Sequence, residues 1–111
     1  MKIKRQDYND VTVIELHGEF EADFCGIFQE TITGIVAENR TEIVLDMSNV
    51  SFIDSQALER LLWARDYCNS NKSQIKLASL DENCSKILEI TRLENELDIY
   101  PELSEAVKSL A

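Results

Sequence analysis

Glycine and proline are scarce in this chain, three and one among 111 residues. That scarcity argues against a loop-rich sandwich or a Pro/Gly linker and favours regular helices and strands. Metal-ligand chemistry is equally thin. His17 is the one histidine, and Cys25, Cys68 and Cys84 are odd in number, with no CxxC and no pair at ligand spacing. A zinc site or a disulfide scaffold is therefore not expected, and no metal or cofactor is called for. Long apolar runs are missing, and a membrane helix needs about 20 such residues. Met1 leads into Lys-Ile-Lys-Arg with no apolar signal core behind it. The expected compartment is the cytoplasm, with the thiols reduced and mostly buried and no direct membrane insertion. Positive charge is short as well: 11 basic against 21 acidic residues, a formal net charge of -10. Such a chain repels nucleic acid and anionic membranes, so neither is expected as a partner. The excess acid fits either a solvated surface or a partner with a basic face, and charge alone does not separate the two.

What is present is a core. At 44% apolar the chain has enough side chains to bury one, and its length fits a single domain over residues 1–111. Residues 3–8 and 11–17 read as two strands joined by the turn residues Asp7, Tyr8, Asn9 and Asp10. In the second strand Val11 and Val13 face one side while Ile14 and Leu16 face the other, so both faces are covered; Gly18 is expected to end it. Phe24, Ile27, Phe28, Ile32, Ile35 and Val36 recur at helical spacing, which predicts a helix over residues 23–39 with Asp23 as its N-cap. Residues 42–46 read as a buried central strand, and a loop over 47–53 is anchored in the core by Phe52 and Ile53. Asp54 is a candidate N-cap for a helix over 55–68. A turn cluster at 69–72 precedes a strand over 74–80. Then come a helix from Asp81 or Glu82 to Thr91, a short strand over 97–99, and a last helix beyond Pro101 presenting Leu103, Ala106, Val107 and Leu110. The expected fold is α/β: a small mixed sheet with an N-terminal hairpin, later strands parallel, and helices packed upon it.

The informative stretch runs from Asp46 to Leu62. Ser55 falls in the first turn of a helix, where free backbone N–H groups and the helix dipole favour an anion. Two readings stand for it on the residues alone: a serine that serves the cap, or a phosphorylation site whose phosphate meets those donors. At 100° per residue Ala57, Leu61, Ala64 and Cys68 form the stripe facing the sheet, flanked by Leu58. Ser55, Glu59, Leu62 and Asp66 fall near the opposite side, with Trp63 beside them. Leu62 and Trp63 serve either as cover for a neighbouring element or as part of a docking surface. The segment from Glu19 to Asp23, with Glu21 at its centre, is either a solvated loop or an acidic contact for a basic partner. Arg60 and Arg65 are expected in surface ion pairs worth little energy, with Glu59, Asp66 or a phosphate as partners.

With these residues in hand the sequence resembles the STAS domain family, the bacterial anti-sigma-factor antagonists and their relatives. The resemblance is carried by Leu16-His17-Gly18-Glu19, by the run from Ile43 to Leu58 with its Asp54-Ser55 pair, by residues 75–80, and by the pattern from Ile87 to Leu93. It implies a binding protein, not an enzyme. The partner it implies is a histidine-kinase-like serine kinase that doubles as an anti-sigma factor. The unmodified protein captures that kinase, phosphorylation of Ser55 releases it, and a metal-dependent serine phosphatase restores the binding form. The expected partner-binding residues are Asp54, Ser55, Gln56, Leu58, Glu59, Leu62, Trp63 and Glu21. Many switching members carry a small hydroxyl residue and then glycine after the serine, whereas this chain has Gln56 and Ala57. The alternative is a non-switching accessory subunit or scaffold, serving an ABC transporter or a sensory assembly. Catalysis has no support in the residues: no carboxylate pair has acid/base spacing and no Gly-rich phosphate loop occurs.

Overall fold

The computed structural model of the chain describes residues 2–110. Nine elements follow in order: β1 (Lys2–Tyr8), β2 (Val11–Phe20), α1 (Ala22–Ala37), β3 (Glu42–Ile53), α2 (Ser55–Ser70), β4 (Gln74–Ala78), α3 (Glu82–Ile90), β5 (Ile99–Tyr100) and α4 (Leu103–Ser109). The five strands form one sheet in the order β1-β2-β3-β4-β5. β1 pairs antiparallel with β2, and every later pairing is parallel. This is the mixed α/β fold that the element order predicts. Asn9 supplies the left-handed backbone of the hairpin turn, with φ of 54°.

The sheet is covered unequally. One face carries the larger core, where Ile14, Leu16, Ile43 and Leu45 meet side chains of α1, α2 and α3. The other face carries Val11, Val13, Val44 and Ala78 under α4, whose Ala106 is fully buried. β2 is therefore apolar on both sides, as its sequence requires. Cys25, Cys68 and Cys84 are free and buried. Burial pushes the Cys68 thiol up to about 11 and the Cys84 thiol to about 12, so both stay protonated and inert near neutrality.

Several boundaries differ from the sequence expectation for one reason. β2 does not end at Gly18, and residues 47–53 are not a loop. The two strands run on together, pairing His17 with Asn49, Gly18 with Val50, Glu19 with Phe52 and Phe20 with Ile53. Register shifts between Glu15 and His17 and between Gly18 and Glu19 break the two-residue alternation. Gly18 carries the strain there, with φ of 117°. The buried residues Met47, Val50 and Ile53 thus recur every third position, a spacing that hides a strand from periodicity. Phe52 is not the core anchor expected of it; it is exposed, while Ile53 is buried. The bulged register puts only one of these neighbours on the covered face.

Candidate functional site

The long pairing of β2 with β3 fixes the geometry of the candidate site. Phe20 and Ile53 are register partners, so α1 and α2 begin side by side at one end of the sheet. The Asp54 N–H donates to the Phe20 carbonyl at 3.1 Å, which extends the pairing by one step. Asp54 is the N-cap of α2, in extended geometry, as expected. Its Oδ1 accepts from the Ala57 N–H at 2.8 Å. Its Oδ2 accepts from the Ala22 N–H of α1 at 3.0 Å. One carboxylate therefore caps two helices. α1 relies on it, because Glu21 occupies the α1 N-cap position without making a side-chain cap bond. Asp23, expected as that cap, lies inside the first turn instead.

Ser55 is exposed at the first residue of α2, and among the described residues its hydroxyl makes no side-chain hydrogen bond. The capping task belongs to Asp54, so it does not account for the serine. Gln56 and Glu59 are exposed beside it. Ala57, Leu61, Ala64 and Cys68 face the core as the helical wheel requires. The methyl of Ala57 consequently packs inward and is not presented next to Ser55. Leu58 corrects the expectation of a partner contact: at 8% exposure it belongs to the core, since it sits on the flank where α2 meets the sheet. Leu62 and Trp63 are half-buried at the margin of the core, and the Trp63 ring stacks on Tyr67 at 5.1 Å. They cover the core edge and still show part of their surface.

The β2–α1 connection lies against this corner. Glu19, Glu21, Asp23, Phe24 and Ile27 line an open groove there. Ile27, one of the apolar residues whose spacing predicts the helix, is 56% exposed. The buried stripe of α1 runs through Phe24, Cys25, Phe28, Ile32 and Ile35, leaving Ile27 well round the helix. Its position in the groove carried no signal in the sequence, because every helical apolar spacing reads as core. The neighbouring Glu19 carboxyl, with burial and the charges of Asp54 and Asp23, holds the Glu21 carboxyl above its ordinary value. Among the described residues no arginine, lysine or histidine lies within ion-pair distance of Glu19, Glu21, Asp23, Asp54 or Glu59.

The arginines take other partners. Arg65 bonds Asp66 at 2.9 Å and Glu96 at 3.0 Å, as surface pairs do. Arg60 pairs with neither Glu59 nor Asp66. Its guanidinium lies between α1 and α2, where it donates to the Gln29 side chain, and its Nε is buried without a partner. His17 bonds Glu15 at 3.1 Å along its own strand. No group of metal-ligating side chains occurs among the described residues, and no helix there is long and apolar enough to cross a membrane.

Comparison with known proteins agrees with this architecture. The family model of the STAS domain matches residues 2–106. A STAS-domain containing protein of Pseudomonas aeruginosa is 31% identical over 81 residues, 73% of this chain and 79% of that protein. The anti-sigma-F factor antagonist RsfB of Mycobacterium tuberculosis is 36% identical over 55 residues, 50% of this chain and 45% of that one. Among solved structures, a candidate anti-sigma factor antagonist of Thermotoga maritima superposes with a TM-score of 0.89 at 22% identity, over 96% of this chain and 92% of its own. The anti-sigma factor antagonist SpoIIAA superposes in its unphosphorylated form with a TM-score of 0.81 at 16% identity, over 98% and 96%. SpoIIAA has also been solved phosphorylated, at a TM-score of 0.74 and 16% identity over 99% and 100%.

Proposed function

The chain belongs to the STAS domain family, and on that premise we propose that it is a single-domain, cytoplasmic, phosphorylation-switched regulator that binds a serine kinase of the anti-sigma-factor type. Unmodified, it captures the kinase; phosphorylated on Ser55, it is released. A metal-dependent serine phosphatase resets it. In the forward step the Ser55 Oγ–P bond forms as the bond from the γ-phosphorus to ADP breaks, and the hydroxyl proton passes to a base of the kinase. The chain itself supplies a surface, not catalysis.

One observation carries this reading. Ser55 stands exposed at a helix N-terminus with its hydroxyl unengaged, because Asp54 caps the helix. A phosphate there stays accessible to donor N–H groups and to the partner's surface. Around it lie exposed Gln56 and Glu59, half-buried Leu62 and Trp63, and the acidic groove of Glu19, Glu21 and Asp23. The groove lacks internal counter-ions, which suits a partner that brings basic side chains together with an apolar one for Ile27. Asp54 belongs to this surface as its framework, and Leu58 supports it from beneath. The relatives named as anti-sigma factor antagonists, and a phosphorylated form of SpoIIAA, support the same assignment.

Gln56 favours a second reading. It is exposed directly beside Ser55, where its length crowds a kinase active site, and this suits a non-switching subunit or scaffold. The test is to incubate the purified chain with ATP and the histidine-kinase-like ATPase encoded nearest to its gene, and to read intact mass. One added phosphate in the wild type, absent in Ser55→Ala, is the expected result. A stable complex that gains no phosphate overturns the switch in favour of the scaffold.

A further inference from the structure

The two helices at the candidate site share one cap, and this links what happens at Ser55 to an element 30-odd residues earlier in the chain. We propose that Asp54 is a positioning residue that relays the state of Ser55 to the start of α1: a phosphate on Ser55 displaces the Asp54 carboxylate from α2, and α1 loses its cap in the same movement. The inference rests on the reading of Ser55 as the modified residue.

The Ala57 N–H is held by Asp54 Oδ1 at 2.8 Å and the Ala22 N–H by Oδ2 at 3.0 Å. Both oxygens sit on one carbon, so a swing of the carboxylate away from Ala57 also moves Oδ2 relative to Ala22. A phosphate on the first residue of α2 brings three acceptor oxygens to the same first-turn donors. It also places about -1.5 to -2 charges beside a carboxylate on the adjacent residue. Competition for the donor and repulsion between the anions act in the same direction. Nothing in α1 replaces the lost acceptor, because Glu21 makes no cap bond. Glu21 and Asp23 flank Ala22, so the acidic rim of the groove loosens together with the cap. One modification thereby changes two parts of the proposed binding surface, the serine and the groove.

The experiment installs phosphoserine at position 55 of the full chain during translation, so that no kinase is needed, and follows amide hydrogen exchange by NMR. In the phosphorylated wild type the Ala22 amide should exchange roughly fivefold faster, the effect of losing one helix cap, while amides deep in α1, such as that of Ile32, keep their rates. The Asp54→Asn protein is the control. Its side chain has one acceptor oxygen, and the amino group cannot accept, so only one of the two helices stays capped. In that protein the response of Ala22 to phosphoserine should fall below about twofold. An unchanged Ala22 rate in the phosphorylated wild type overturns the relay. So does a response of the same size in Asp54→Asn, because the effect then travels without the carboxylate. Should Asp54→Asn fail to fold, the wild-type pair decides alone. A chain that no kinase phosphorylates, yet whose Ala22 responds to installed phosphoserine, refutes the switch and leaves the relay standing.

Discussion

At the end of the sheet where β2 and β3 begin, charges come in pairs. Arg5 holds Glu38 with two hydrogen bonds, at 2.8 and 2.9 Å, and Asp7 at 3.2 Å. Arg40 donates to the Thr12 hydroxyl at 2.8 Å and to the Asn9 carbonyl at 2.9 Å. Those bonds tie the hairpin to the end of α1 and the start of β3. At the opposite end, where the same two strands finish, Glu19, Glu21, Asp23 and Asp54 lie about the starts of α1 and α2, and among the described residues neither they nor Glu59 have a cation within ion-pair distance. Like charges left unpaired give up stability, and a partner with a basic face would supply the opposite sign. The difference teaches which end is tied by ion pairs and which is left without them, the second being the end that the proposed function offers to a partner.

The largest effect expected from this contrast is at Ser55. Phosphoserine installed there should weaken binding to the cognate kinase by at least about 100-fold, because new charge enters a packed interface. Calorimetric titration measures it. A loss of less than about threefold would place the interface elsewhere and end the functional reading of this corner.

Removing an arginine at the paired end should do the reverse. Arg40→Met strips the donor from the fully buried Thr12 hydroxyl, which should cost about 2 kcal/mol of stability. Urea unfolding reads that loss, and affinity for the kinase should not move. If Arg40→Met weakens binding as much as it weakens folding, the two ends are not separate in function.

Neutralising the unpaired end should cost no stability. Glu19→Gln and Glu21→Gln are expected to leave unfolding within about 0.5 kcal/mol of wild type. They should slow kinase association several-fold at low salt and flatten its dependence on ionic strength. A destabilisation above about 1 kcal/mol would show that these carboxylates serve the fold, as their counterparts around Arg5 do.

The two ends were unequally legible in the sequence. The Asp54-Ser55 pair, the N-cap and the core stripe of α2 were readable because each rests on local rules, capping and a 3.6-residue period. The hairpin, the parallel strands and the double-sided burial of β2 followed from alternation. Legibility stopped where distant segments meet. Periodicity could not show that β3 continues to Ile53, because two register shifts replace alternation with a three-residue spacing. Without that extension, nothing placed Phe20 beside Ile53, and so nothing suggested that Asp54 also caps α1. Asp23 took the cap role by default, and Phe52 was given an anchoring task it does not have. The helical wheel set Leu58 beside the core stripe, where it lies, and the family resemblance alone placed it among the partner contacts. The Arg60–Gln29 contact joins two helices through side chains alone and left no pattern to read.

The finest test of the contrast is titration, where the two ends should respond to acid with opposite sign. Hydrogen bonds from Arg5 hold Glu38 and Asp7 below their ordinary values of 4.5 and 3.8. The unfolded chain therefore takes up these protons first, and the stability they contribute, complete above about pH 5, is lost as the pH falls through their folded values. The neighbouring Glu19 carboxyl holds Glu21 above its ordinary 4.5, with the charges of Asp54 and Asp23 adding to the shift. Here the folded chain takes up the proton first. Its contribution is fully present below 4.5 and disappears as the pH rises through the raised folded value. Mild acidification from neutrality should thus relieve the unpaired end before stronger acid breaks the paired one. All three groups are at the surface and screened by salt, so the shifts in melting temperature should be small. NMR titration of the side-chain carboxyls should place the Glu21 midpoint above that of Glu38. Glu21→Gln should abolish the gain on mild acidification, and Glu38→Gln should blunt the later loss. A Glu21 midpoint at or below that of Glu38 would mean that the acidic corner is neutralised from within, and the two ends would then be held by the same kind of contact.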